Sequence, residues 1–114
     1  MSSAWDAEAV RGGYRSAAED VKSLLHQLEG RKANPRAGDA FLHDESIAKL
    51  AVYDQLVAPG WTTKQELLER LARMQENVPT HSDSHDRDVF RTSYLIEVER
   101  ALTGLHQSSQ GSSG

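Results

Sequence analysis

The chain has no cysteine, and that absence removes a disulfide framework, a thiolate metal site and a cysteine nucleophile together. Aromatic residues are few, with two Trp, three Tyr and two Phe among 114 residues, so the core has to be small. No apolar run approaches the ~18 to 20 residues of a membrane span. An excess of positive charge is missing too. Acids outnumber Lys and Arg 17 to 13, the net charge is -4 with the five His neutral, and the basic residues are scattered among acids, which argues against nucleic acid and against a membrane surface as partners. Met1-Ser2-Ser3-Ala4-Trp5-Asp6 lacks the basic start and apolar stretch of a signal peptide, so a cytoplasmic location is expected. Neither Gly-x-Ser-x-Gly nor a phosphate-cradling glycine loop occurs, so no catalytic residue is expected in this chain.

What is present is helical periodicity. Nowhere do four or more residues alternate with period two, and the expected fold is all-α, about four helices in a small bundle. The first helix is expected from about Asp6 to Glu29, kinked or frayed at Gly12-Gly13, because two adjacent glycines cost about 2 kcal/mol relative to alanine. Val21, Leu24, Leu25 and Leu28 then fall at i, i+3, i+4 and i+7, with Gly30 placed for a left-handed cap. Asn34-Pro35 and Gly38 predict a linker over Arg31 to Leu42.

A second helix is expected from Asp44, capped by its own carboxylate, with Ile47, Leu50, Ala51 and Leu56 inward and an end before Ala58-Pro59-Gly60. Trp61 precedes two overlapping capping boxes, Thr62 with Gln65 and Thr63 with Glu66. The third helix turns Leu67, Leu68, Leu71 and Met74 inward, with Glu66–Arg70 and Glu69–Arg73 as outward pairs at i, i+4, and Val78-Pro79 ends it. The fourth runs from about Arg87 to His106 on Phe90, Tyr94, Val98, Ala101, Leu102 and Leu105. By organisation, residues 1–40 are an N-terminal helix and linker, 41–107 a helical domain, and 108–114 a disordered tail of Ser, Gln and Gly.

Three groups of residues carry the functional expectations. His81, Asp83, His85, Asp86 and Asp88 combine imidazole and carboxylate ligands within eight residues, yet fit no defined metal motif. No resident metal is therefore expected, His81, Asp83 and His85 are the candidates if there is one, and Asp83 or Asp86 serves as cap of the fourth helix. His26, beside the leucine stripe, reads as a boundary or partner-contact residue rather than a base, and Glu97 and Glu99 near Arg100 as helical surface charge. Trp61, Phe90, Arg91 and Tyr94 are the candidate partner-binding residues, since interfaces are enriched in Trp, Tyr and Arg, although core packing is the first expectation for Trp61.

Two strings, Ala58-Pro59-Gly60-Trp61-Thr62-Thr63-Lys64-Gln65-Glu66-Leu67 and Phe90-Arg91-Thr92-Ser93-Tyr94-Leu95-Ile96-Glu97-Val98-Glu99-Arg100-Ala101-Leu102, resemble the helical N-terminal half of nitrile hydratase beta subunits, the matching subunit of thiocyanate hydrolase and the small nitrile hydratase activators. The resemblance covers about Phe41 to Leu105. It implies a helical partner, in a hetero-oligomer, of a separate alpha subunit that holds cobalt or iron through modified cysteines and hydrates nitriles to amides. Catalysis would then be that of a lyase of which this chain is one subunit. The zero cysteine count agrees with that division of labour. The pattern departs from the family where its arginine would fall, near Glu66 with Lys64 the nearest cation, and where its paired tyrosines and following tryptophan would fall, on Phe90, Arg91 and Tyr94. These departures fit an activator or beta-like fragment better than a full beta subunit. The alternatives are a helical module that self-associates through Leu24, Leu25 and Leu28, and a small metal carrier using the His81 to Asp88 segment.

Overall fold

The computed structural model describes residues 5–113, with side chains as far as position 106. The last helix runs past the end expected near His106 to Ser113, and the side chains of the expected tail over 108–114 lie outside the described residues. Four helices follow one another, α1 (Ala7–Gly30), α2 (Asp39–Val57), α3 (Lys64–Glu76) and α4 (Arg87–Ser113), with no strand among the described residues. The architecture is the expected all-α bundle. No described helix is long and apolar enough to cross a membrane.

α1 starts where Asp6 caps it, its side chain accepting the amide of Ala9 at 3.1 Å. Gly12 and Gly13 lie inside a continuous helix and do not break it. Their propensity penalty is outweighed by tertiary contacts on either side, where Val10 and Tyr14 pack on the core and Ala18 and Leu28 are buried. The left-handed glycine cap expected at Gly30 is absent, since among the described residues Gly38 and Gly60 are the ones with positive φ; the Arg31 amide turns back on Leu28 and Glu29 instead.

The linker is shorter than expected. Gly38, at φ 86°, lets the chain enter α2 at Asp39, five positions before Asp44. Asp39 itself fixes that entry by accepting the Arg36 amide at 2.9 Å and the Arg31 guanidinium at 2.9 and 3.3 Å. Asp44 is consequently not the cap of α2: it sits a full turn inside the helix at 1% exposure.

α3 begins as the sequence predicts, with Thr63 accepting the Glu66 amide while the Glu66 carboxylate accepts the Thr63 amide. The expected Glu66–Arg70 pair does not form. Glu66 is committed to the cap, and Arg70 reaches back to the carbonyls of Gln55, Ala58 and Pro59, each at 2.8 Å. These are carbonyls that the end of α2 and the following turn leave without helical partners. Gly60 takes φ 117° in that turn and lies against Arg70.

α1 packs on α2, α2 on α4, and α3 on α4. The core runs through Ile47, Ala48, Val52 and Leu56 of α2, Trp61, Leu67, Leu71 and Met74 of the turn and α3, and Phe90, Tyr94, Val98 and Leu105 of α4. A leucine fully withdrawn from water, as at positions 56, 67 and 71, contributes about 1.5–3 kcal/mol. One basic residue belongs to this interior. Arg11 of α1 donates to the carbonyls of Trp61 at 2.7 Å and Val57 at 3.1 Å, and its guanidinium lies 4.2 Å from the centre of the Trp61 ring.

Candidate functional site

A cavity of about 500 Å³ opens between the end of α1, the 31–38 connection, the start of α2 and the segment before α4. Arg31 and Asp39, joined by a salt bridge, line it together with Asp83, His43 and His85. The Arg31 guanidinium, followed by the Arg36 amide, holds the Asp39 carboxyl below the usual carboxylate range. That pair is a structural clasp.

Behind the two histidines lies Asp44. Its Oδ1 accepts the His85 amide at 2.9 Å and its Oδ2 the Asp86 amide at 2.7 Å, so a side chain of α2 satisfies backbone donors at the entrance to α4. Asp86 completes the cap by accepting the Asp88 amide at 2.9 Å, as expected for it. Burial pushes the Asp44 carboxyl upward, but the His85 and Asp86 amides and the His43 ring together outweigh it and leave the pKa lowered. His43 Nδ1 lies 3.1 Å from Asp44 Oδ1, and the His43 and His85 rings meet edge to face with centroids 5.0 Å apart. One potential ligand atom from each of His43, Asp44 and His85 lies within 4.8 Å of the other two.

No family model, curated protein or solved structure matches the chain. The site therefore has to be read from its own chemistry.

Of the sequence candidates for a metal, only His85 enters this group. His81 is tied elsewhere: its Nδ1 accepts the Asp83 amide at 3.2 Å and its ring leans on Phe90 with centroids 5.7 Å apart. Asp83 lines the cavity without joining the cluster. His43 was missed because the ligands come from elements about forty residues apart, and nothing in local spacing joins them.

The partner-binding candidates divide in the same way. Trp61, Phe90 and Tyr94 are almost wholly buried, so core packing takes the aromatic area assigned to a partner, and Arg91 alone of the four is exposed. The Trp61 indole N–H donates to the Leu56 carbonyl at 2.9 Å, and the Tyr94 hydroxyl accepts from Gln55 at 2.7 Å. Leu28 is buried, and Leu25 packs on the core, so that part of the stripe expected to self-associate is used within the chain. Phe41, 55% exposed, and Ile96, 52% exposed, are the large apolar side chains left outside among the described residues.

A second polar group lies where α2 meets α4. Glu97, read as surface charge, is buried at 5% exposure and accepts the Tyr53 hydroxyl at 2.6 Å. Burial first, and then the Glu97 carboxylate, raise the Tyr53 pKa, and Tyr14 stacks on Tyr53 with centroids 6.4 Å apart. Position was the available signal: Glu97 lies three residues after Tyr94 and four before Ala101, on the inward face of α4.

Proposed function

We propose that the chain is a non-catalytic helical subunit or accessory protein of a nitrile hydratase-like or thiocyanate hydrolase-like enzyme, docking in the cytoplasm onto a separate alpha subunit that carries cysteine-bound cobalt or iron. One observation supports the reading above the rest. The two strings that carry the resemblance occupy the α2–α3 turn, α3 and α4, elements that pack together, and their aromatic residues Trp61, Phe90 and Tyr94 enter one core. The resemblance thus falls on a packing unit, and the lack of cysteine leaves the reactive metal to the partner. Contact with that partner falls to side chains outside the core, among them Arg91 of α4.

Co-expression with candidate cysteine-bearing alpha subunits tests this. Expected are a hetero-oligomer on size-exclusion chromatography and cobalt-dependent nitrile hydration that rises when this chain is present, with Arg91→Glu weakening the complex while helicity is retained. A chain that remains monomeric beside every such subunit and leaves their activity unchanged overturns the proposal.

A further inference from the structure

We infer that His43, Asp44 and His85 form a binding site for one divalent transition-metal ion of the zinc, cobalt or nickel class. The inference is independent of the docking role proposed above.

The geometry is the first argument. Three ligand atoms from three side chains lie within 4.8 Å of one another. The His43 Nδ1 to Asp44 Oδ1 separation is 3.1 Å. Two ligand atoms bound about 2.0–2.1 Å from one tetrahedral ion stand roughly 3.3 Å apart, so little movement is needed to seat an ion between them.

Charge is the second. Asp44 is a carboxylate at 1% exposure whose side-chain hydrogen-bond partner among the described residues is the imidazole of His43, with no Lys or Arg on it. Its role at the entrance to α4 accounts for the Asp86 and His85 amides. It does not account for the His43 ring on the same carboxylate, nor for a second imidazole, that of His85, with a ring nitrogen within 4.8 Å of both. When an ion enters, it takes the place of the His43 N–H on Oδ1, while both backbone amides keep their acceptors, so the start of α4 stays capped.

Ligand type selects the metal. Two imidazole nitrogens and one carboxylate oxygen suit zinc, cobalt or nickel, whereas magnesium and calcium take oxygen ligands. His43 and His85 both line the 500 Å³ cavity, which gives an ion an entry path and leaves room for water on a fourth coordination position. The ligands come from α2 and from the segment leading into α4, so a bound ion joins these two elements.

The test uses the untagged full chain in buffer free of chelators, titrated with zinc alone and cobalt alone by calorimetry and equilibrium dialysis. Expected are one ion per chain, visible cobalt absorption bands, and nitrogen chemical-shift changes confined to the His43 and His85 rings on adding zinc. His43→Gln and His85→Gln should each weaken binding by more than about 10-fold. His26→Gln and His81→Gln should leave it unchanged, and circular dichroism should show the helix content of every variant intact. Binding that survives in the His43→Gln/His85→Gln double variant, binding lost equally in His81→Gln, or no binding by the unaltered chain overturns the inference.

Discussion

Replacing Arg11 by methionine keeps most of the aliphatic stem while removing the guanidinium that ties α1 to the α2–α3 turn. The substitution deletes hydrogen bonds to the Trp61 and Val57 carbonyls and the stacking on the Trp61 ring. A hydrogen bond to a charged donor is worth about 1.5–3 kcal/mol, with the part-buried Val57 bond at the low end. The ring contact adds about 0.5–2 kcal/mol. The Glu8 partner is 80% exposed, so that salt bridge adds at most about 1 kcal/mol. Water reaching the freed carbonyls and the packing of methionine offset part of the total, and a net loss of about 3 kcal/mol is expected. With about 2.1 cal/mol/K per residue over 114 residues, Tm should fall by about 12 °C. Urea unfolding followed by tryptophan fluorescence reads this directly, because Trp5 and Trp61 lie with ring centroids 6.3 Å apart beside the altered site. Arg15→Met, an exposed position on the same helix, serves as control and should change stability by less than about 0.5 kcal/mol. A loss below about 1 kcal/mol for Arg11→Met would refute the view that this side chain anchors α1.

Three further outcomes are expected. Tyr53→Phe removes the donor 2.6 Å from a buried Glu97 and should cost about 2 kcal/mol in denaturant unfolding, whereas a neutral effect would show that Glu97 finds water. Thr63→Ala breaks one arm of the capping box and should cost about 1 kcal/mol, with helix content otherwise unchanged by circular dichroism. The Asp44 carboxyl is held below its ordinary 3.8, so the stability it contributes is present above that pH and is lost as the pH falls below it. Asp44→Asn should therefore be less stable near neutral pH by about 1–2 kcal/mol, with a shallower fall in urea midpoint below about pH 4; parallel pH profiles for the two proteins would count against the assignment.

The helices and their inward leucines are legible in the sequence because each is a local pattern: the Thr63–Glu66 box needs only four residues, and Leu67, Leu71 and Met74 only one face. Side chains whose partners lie far along the chain are not legible. An acid near a helix start reads as that helix's cap, and only the arrival of α4 shows that Asp44 caps a different one. Arg70 looks like half of an i, i+4 pair until the carbonyls ending α2 compete for it. Local pattern leaves Trp61, Phe90 and Tyr94 with two readings, because an aromatic that can reach a partner and one that fills a core have the same spacing; the packing of α2, α3 and α4 decides for the core.

Among the described residues α2 meets α4 and its entrance through three polar ties, Asp44 on the His85 and Asp86 amides, Tyr53 on Glu97 and Gln55 on Tyr94. Leucine and valine surfaces alone tolerate sliding, since one apolar knob resembles the next. A slip by one helical turn, about 5.4 Å, would move Glu97 away from Tyr53 and pull Asp44 off its two amides at the same moment. Together these ties act as a vernier that admits a single axial setting of the helix pair.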